Sequence, residues 1–138
     1  MNRTALPQTS PVIDQSPATD SVAVVQRQLD AYNARDLETL LAVYADEAEL
    51  FEYPAKLLAK GTTQLRERFI ARLTEPNLHA KLIHRLVMGR TVIDHELVTR
   101  TFPEGPGTLE MIMIYEMEKD RIARAWSIVG AKSLAAKS

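Results

Sequence analysis

The sequence contains no cysteine in its 138 residues. That removes disulfides, thiolate nucleophiles and cysteine-based metal sites together, and it fits a reducing compartment. Glycine is scarce as well. None of the five glycines forms a GxGxxG or a phosphate-cradling loop, and no GxSxG elbow is present, so neither a nucleotide cofactor nor serine-type acyl transfer is expected. An excess of either charge is also missing. Seventeen Lys and Arg face eighteen Asp and Glu, a net charge of −1, which leaves no electrostatic footprint for nucleic acid. Arg66, Arg68 and Arg72 do cluster, but Glu67 and Glu75 stand among them, and the group reads as a solvated helix face. No apolar run approaches the roughly 18 residues that cross a bilayer, so no membrane association is expected. Residues 1–20 carry three prolines and many small polar residues without an apolar h-region, which reads as a flexible tail and not as a secretory signal. The expected location is cytoplasmic. What is present, 46% hydrophobic and 25% charged residues, is the composition of one ordinary globular domain. Its expected bounds are residues 21–131, followed by a short C-terminal tail over 132–138.

Along that domain the hydrophobic period changes once. Asp20 or Ser21 is placed to cap a helix whose apolar positions Val22, Val25, Leu29 and Tyr32 recur at helical spacing, and Asn33-Ala34-Arg35 breaks it. Asp36 caps a second helix with Leu37, Leu40, Leu41 and Tyr44 as its buried stripe. Residues 48–53 read as a short strand ended by Pro54. After a loop, Gly61 opens a third helix with Leu65, Phe69 and Leu73 on one face, stopped by Pro76. From His79 onward, strands are predicted at about 79–88, 91–101, 108–118 and 121–131. They are joined by a tight turn at Gly89-Arg90, a looser one across Pro103–Gly107, and a third at Lys119-Asp120. Helices first and a hairpin-linked sheet last make an α+β fold with a mainly antiparallel sheet.

Strand parity assigns faces. In 108–118 the odd set Leu109, Met111, Met113, Tyr115 and Met117 is apolar apart from one phenol and is expected to face inward, either as an adaptable pocket lining or as core under the helices. The even set carries Ile112 and Ile114 between charged ends, which predicts a homodimer through that sheet face. In 91–101 the charges of Asp94 and Glu96 are expected outside, with Ile93, His95 and Leu97 inside. His95 then reads either as a hydrogen-bonded core residue or as an acid, base or donor toward a ligand. Parity leaves the side of Trp126 open. No metal site is expected, because Asp94-His95-Glu96 alternate faces and His79 and His84 differ in parity.

The segment VVQRQLDAYNARDLETLLAVYADEAELFEYP, residues 24–54, resembles the first helices and strand of the bacterial ketosteroid isomerases. Val24-Val25-Gln26-Arg27, Asn33-Ala34, Asp36-Leu37 and Ala45-Asp46 carry the likeness, and the Gly61 helix and four long strands continue it. Those enzymes belong to the nuclear transport factor 2-like superfamily, with the SnoaL-like polyketide cyclases. The resemblance implies a cone-shaped (cystatin-like) fold, three helices on a curved, mainly antiparallel mixed sheet around an apolar pocket, with no cofactor. It places Glu52 at the position of the family's carboxylate base, the other reading being a rim glutamate paired with Lys56 or Lys60. The oxyanion-hole positions fall on Gln28 and Tyr115, so steroid isomerase activity itself is not expected.

Tyr32, one helical turn beyond Gln28, and Tyr115 with His95 are the replacement donors; the other reading, and the simpler one, makes the tyrosines hydrogen-bonded core residues. The pocket is expected to be lined by Gln28, Met111, Met113, Met117, Ile93 and Leu97. The function implied is an isomerase, cyclase or lyase on a hydrophobic carbonyl compound, the alternative a non-catalytic small-molecule-binding or dimerising module. A limonene-type epoxide hydrolase ranks last, since it needs an Asp-Arg-Asp cluster inside the pocket and Asp94 reads as outward with no arginine partner.

Overall fold

Residues 17–135 are described by the structure, a computed structural model. Helix α1 (Pro17–Ala34) begins before the expected cap, so four residues assigned to the tail are helical and the first sixteen lie outside the described residues. Proline is tolerated at the first helical position because its missing N–H would be unpaired there anyway. Ser21 is therefore inside the helix and not its cap; its hydroxyl donates to the Gly89 carbonyl at 3.2 Å. Asn33 fixes the other end. Its side-chain amide donates to Ala80 O and its side-chain oxygen accepts from Ala80 N, both at 2.8 Å. This pairing satisfies backbone groups on a sheet edge.

Helix α2 (Leu37–Ala42) is capped by Asp36, which accepts from Thr39 N at 3.2 Å and from the Thr39 hydroxyl at 2.7 Å. Tyr44 does not extend the helix but opens strand β1 (Tyr44–Glu52), longer than the predicted strand. The chain then turns into β2 (Lys56–Lys60), a strand where a loop was expected. Helix α3 (Gly61–Leu73) buries Leu65, Phe69 and Leu73 as predicted. The Phe69 ring packs on Tyr44 with centroids 5.4 Å apart.

Strands β3 (His79–Met88), β4 (Thr91–Phe102), β5 (Gly105–Glu118) and β6 (Arg121–Leu134) complete a six-stranded sheet of order β2-β1-β6-β5-β4-β3. Among the described residues only the β1–β6 pair is parallel, and the other four pairs are antiparallel. β6 runs three residues into the expected C-terminal tail. Register shifts at Leu50/Phe51, Leu82/His84, Leu109/Met111 and Glu116/Met117 bend and twist these strands. The architecture is α+β, with α1 packed on β3, β4 and β6 and α3 on β1 and β2. The space left between α1, α3 and the sheet holds the site. Among the described residues no helix is long and apolar enough to cross a membrane.

Candidate functional site

Register decides which side chains reach the interior. In an antiparallel pair, residues directly opposite share a face. Val92, Asp94, Glu96 and Val98 lie opposite Tyr115, Met113, Met111 and Leu109, of which Tyr115, Met111 and Leu109 are buried and Met113 partly so. The inner face of β4 is therefore Val92, Asp94, Glu96 and Val98, and the expected assignment of this strand is reversed. Ile93, His95 and Leu97 lie opposite Ile114, Ile112 and Glu110 on the outer face. There His95 Nε2 stands 2.7 Å from Glu110 Oε2, both partly exposed. Neither Ile93 nor Leu97 lines the interior cavity, and His95 cannot reach a ligand in it.

Two carboxylates thus enter the interior. Asp94 is completely buried and clamped in a fork: Arg85 Nε donates to Oδ1 at 2.6 Å and Nη2 to Oδ2 at 2.9 Å. Arg85 Nη1 donates further to Gln26 Oε1 at 2.9 Å. Bidentate, charge-assisted geometry of this kind is what a desolvated ion pair requires. An inward Asp with an arginine partner therefore exists, contrary to the sequence reading, but neither residue lines the cavity.

Glu96, two residues along the same face, is 4% exposed and does line it. Among the described residues no group donates a hydrogen bond to its carboxylate. Burial first, and then the Asp94 charge, push its pKa up, while Arg85 and Arg100 pull it down; the outcome is about 7. A buried carboxylate left without donors and titrating near neutrality is poised to take or give a proton.

The cavity measures about 110 Å³, room for a few waters or a small organic molecule. Gln28 and Tyr32 of α1, Tyr44 of β1, Arg68 of α3, Glu96 and Arg100 of β4, Tyr115 of β5 and Ser127 of β6 supply its polar groups. Leu29, Phe69, Val98, Met111 and Met113 supply apolar wall. The Tyr115 hydroxyl donates to Gln28 Oε1 at 3.1 Å, and the Gln28 amide also bears on the Tyr44 hydroxyl. Burial raises the pKa of both phenols, so they remain protonated. Tyr32 is less deeply enclosed. Burial raises its pKa too, opposed by the Arg100 guanidinium beside its hydroxyl and by Arg72. The Nε of Arg100 is buried with no partner among the described residues.

A family model for the SnoaL-like domain matches residues 25–125. The chain belongs to the SnoaL-like family. No curated protein matches it. Among solved structures, an uncharacterized cystatin-fold protein from Novosphingobium aromaticivorans is 24% identical, with 78% of this chain and 97% of that one covered and a TM-score of 0.72. A proposed ketosteroid isomerase from Kribbella flavida is 14% identical, covering 89% and 87%, with a TM-score of 0.72. A proposed polyketide cyclase from Sinorhizobium meliloti is 22% identical, covering 76% and 93%, with a TM-score of 0.64. At these identities the likeness is one of fold.

Within this SnoaL-like domain the predicted site residues divide. Gln28, Tyr32, Met111, Met113 and Tyr115 line the cavity. Met117 is buried in the core away from it. Glu52 lies at the end of β1, its side chain 51% exposed and 4.0 Å from Lys56, outside the lining. Trp126 falls on the outer face, since its neighbours Ala125 and Ser127 line the cavity; its ring stacks on Phe51 at 5.5 Å. The polar lining residues that were not singled out as site residues are Tyr44, Arg68, Glu96, Arg100 and Ser127. The turn at Pro103-Glu104 held the missing signal. Phe102 pairs with Gly105, so the connection is a two-residue hairpin, and that places even residues of β4 beside odd residues of β5. Among the described residues no three His, Asp or Glu side chains group as a metal site would require.

Proposed function

We propose that this SnoaL-like protein is a cofactor-independent proton-transfer enzyme of the isomerase, cyclase or lyase type, acting on a small carbonyl compound, with Glu96 as its acid–base group. The observation that carries the reading is Glu96 itself: buried, without donors, and facing a cavity that also holds a phenol and a guanidinium. In the proposed step the Glu96 carboxylate removes a proton from the carbon beside the substrate carbonyl. The electron pair of that C–H bond forms the new C=C bond while the carbonyl π pair moves onto oxygen, giving an enolate. The Tyr32 hydroxyl donates to the enolate oxygen, and the positive charge of Arg100 stabilises it in a desolvated site. The protonated Glu96 then returns its proton to carbon, or the enolate carbon attacks an electrophile within the same molecule. Structural neighbours proposed as a ketosteroid isomerase and a polyketide cyclase are consistent with carbanion chemistry in this fold. Glu52 remains a substrate-facing candidate only if a ligand extends past the end of β1.

The test is deuterium exchange into small enolisable ketones such as cyclohexanone in D2O, followed by NMR. The protein is expected to accelerate exchange, and Glu96→Gln to lower that rate by about 10²-fold or more. Equal exchange with the Glu96→Gln protein removes Glu96 from the chemistry. A panel of ketones that exchanges no faster with protein than without favours the second reading, a non-catalytic small-molecule-binding module. That reading is supported by the Tyr115–Gln28 bond, since groups satisfied by each other need no substrate.

The outer sheet face, with Ile93, Ile112, Ile114 and Trp126 half-buried side by side, is the surface we propose for pairing with a second copy. Light scattering is expected to return twice the 15.5 kDa chain mass, and an Ile112→Lys/Ile114→Lys protein the single mass. A wild-type monomer at working concentration removes the dimer.

A further inference from the structure

Helix α3 carries three arginines that are treated differently. Arg66 is neutralised: its guanidinium donates to both carboxylate oxygens of Glu38 at 2.8 and 3.1 Å. Arg68 and Arg72 have no carboxylate within ion-pair distance among the described residues, and neither has Arg100 of β4. Yet these three converge. Arg68 and Arg100 line the cavity; Arg68 and Leu58 also line an outer cleft that carries Arg72. Arg100 and Arg72 both act on the Tyr32 hydroxyl. Desolvation first, and then the Arg100 charge, lower the pKa of Arg72, as expected for cations crowded into a partly enclosed space.

None of the acids nearby forms an ion pair with this group; Glu96 feels the Arg100 charge across the shared cavity but makes no ion pair with it. Glu67 lines the outer cleft without bonding an arginine. Glu75 also acts on Arg72, but its carboxylate is engaged by the backbone N–H groups of Asn77 and Thr101 at 3.1 and 3.3 Å. Like charges at i and i+4 on one helix are mutually destabilising, and a buried Arg100 Nε without an acceptor adds a desolvation cost. Both costs are relieved by one anion placed where the cavity meets the cleft.

We propose that the ligand of this cavity is a small organic acid, with its carbon body against Phe69, Val98 and Met111 and its carboxylate held across Arg68, Arg72 and Arg100. A planar carboxylate matches the fork of a guanidinium, and an apolar body matches the inner wall. In substrate terms the class is a carbonyl compound that also carries a carboxylate: the acid group anchors at the arginines and the reacting carbon lies toward Glu96. The inference rests on the cavity being the ligand site, as in the functional reading above, but not on proton transfer taking place there.

The experiment compares cyclohexanecarboxylate with cyclohexanecarboxamide, which share a carbon body and differ in charge. Calorimetric titration into the full chain is expected to show the acid binding about tenfold or more tightly than the amide, with the preference shrinking as salt rises. Arg72→Gln and Arg68→Gln are each expected to reduce that preference, and the two together to abolish it, while Arg66→Gln leaves it unchanged. Because Arg68 is exposed and Arg72 only partly buried, the variants test the site without depending on substitution at the buried Nε of Arg100. Glu96→Gln is expected to keep or strengthen acid binding, since it removes a nearby negative charge, even as it stops ketone exchange. No preference for the acid, or a preference indifferent to Arg68 and Arg72, overturns the proposal while leaving the exchange result standing. Acid preference without any ketone exchange has the opposite meaning: the anion site stands and the proton-transfer reading falls.

Discussion

Asp94 and Glu96 stand on the same face of the same strand, two residues apart, and their surroundings differ in every respect that matters for chemistry. Asp94 is held in a bidentate fork by Arg85, whose third nitrogen, Nη1, donates to Gln26. Its charge is compensated, its geometry fixed, and it faces no cavity. Glu96 is nearly as buried but has no donor, sits against open space, and is pushed up to about 7. Burial alone therefore does not make a carboxylate functional. What separates the two is whether the fold supplies a partner or leaves that place vacant. The charge of Asp94 also raises the Glu96 pKa, so the compensated pair tunes the free group beside it.

The largest effect is expected from undoing the compensation. Arg85→Met leaves Asp94 buried without a counterion and is expected to cost about 3–5 kcal/mol in urea unfolding near neutral pH. A loss below about 1 kcal/mol would mean that Asp94 is not the isolated charge its burial implies. Next comes Glu96→Gln. The folded-state pKa of Glu96 lies above its ordinary 4.5, so the folded protein binds its proton more tightly than the unfolded chain does. Any stability linked to that proton is complete below pH 4.5 and is lost as pH rises toward 7. Glu96→Gln removes this loss. It is expected to be more stable than the parent by up to about 3 kcal/mol at pH 8, with the gap closing as pH falls toward 4. A gap independent of pH would place the Glu96 pKa near its unfolded value.

A smaller effect is expected at the satisfied end of the cavity. Tyr115→Phe removes the donor to Gln28 Oε1 and leaves a buried amide oxygen short of one partner, a cost of about 1–2 kcal/mol. It is expected to change ketone exchange far less than Glu96→Gln does, because the phenol is turned toward Gln28. Exchange that falls as far as in Glu96→Gln would instead make Tyr115 the oxyanion donor.

Much of the fold was legible because local chemistry and tertiary packing agree. Asp36 caps a helix, Leu65, Phe69 and Leu73 bury one face of the next, and the last four strands begin and end close to their turn signals. β2 escaped because Lys56–Lys60 is five residues long with lysines at both ends, a pattern that only its pairing with β1 makes into a strand. In the cavity, Gln28 was readable from the family resemblance, Tyr32 from helix period, and Met111, Met113 and Tyr115 from β5 parity. Glu96 was not, for a specific reason. Parity gives two faces but not which is inside, and charge was taken to decide it. Val92 and Val98 at the ends of the same set, 0% and 2% exposed, carried the opposite message. Arginine positions were hidden differently, since sequence spacing does not tell Arg66, with Glu38 across from it, from Arg68 and Arg72, which have no such neighbour.

The smallest expected effect lies on the other side of the sheet. His95 and Glu110 form a close pair, 2.7 Å apart, that on distance alone resembles Arg85 and Asp94. Their side chains are 34% and 49% exposed, so water competes for both groups and salt screens them. His95→Ala is expected to cost less than about 1 kcal/mol and to leave ketone exchange and acid binding unchanged. Since a second copy is proposed to cover this face, the measurement belongs at two protein concentrations spanning the dimer's dissociation. If the cost rises steeply in the dimer, the partner desolvates the pair, and His95–Glu110 then becomes an interface counterpart of Arg85–Asp94. If it stays small at both concentrations, the contrast between the two faces holds: similar distances, but only the inner pair is removed from water.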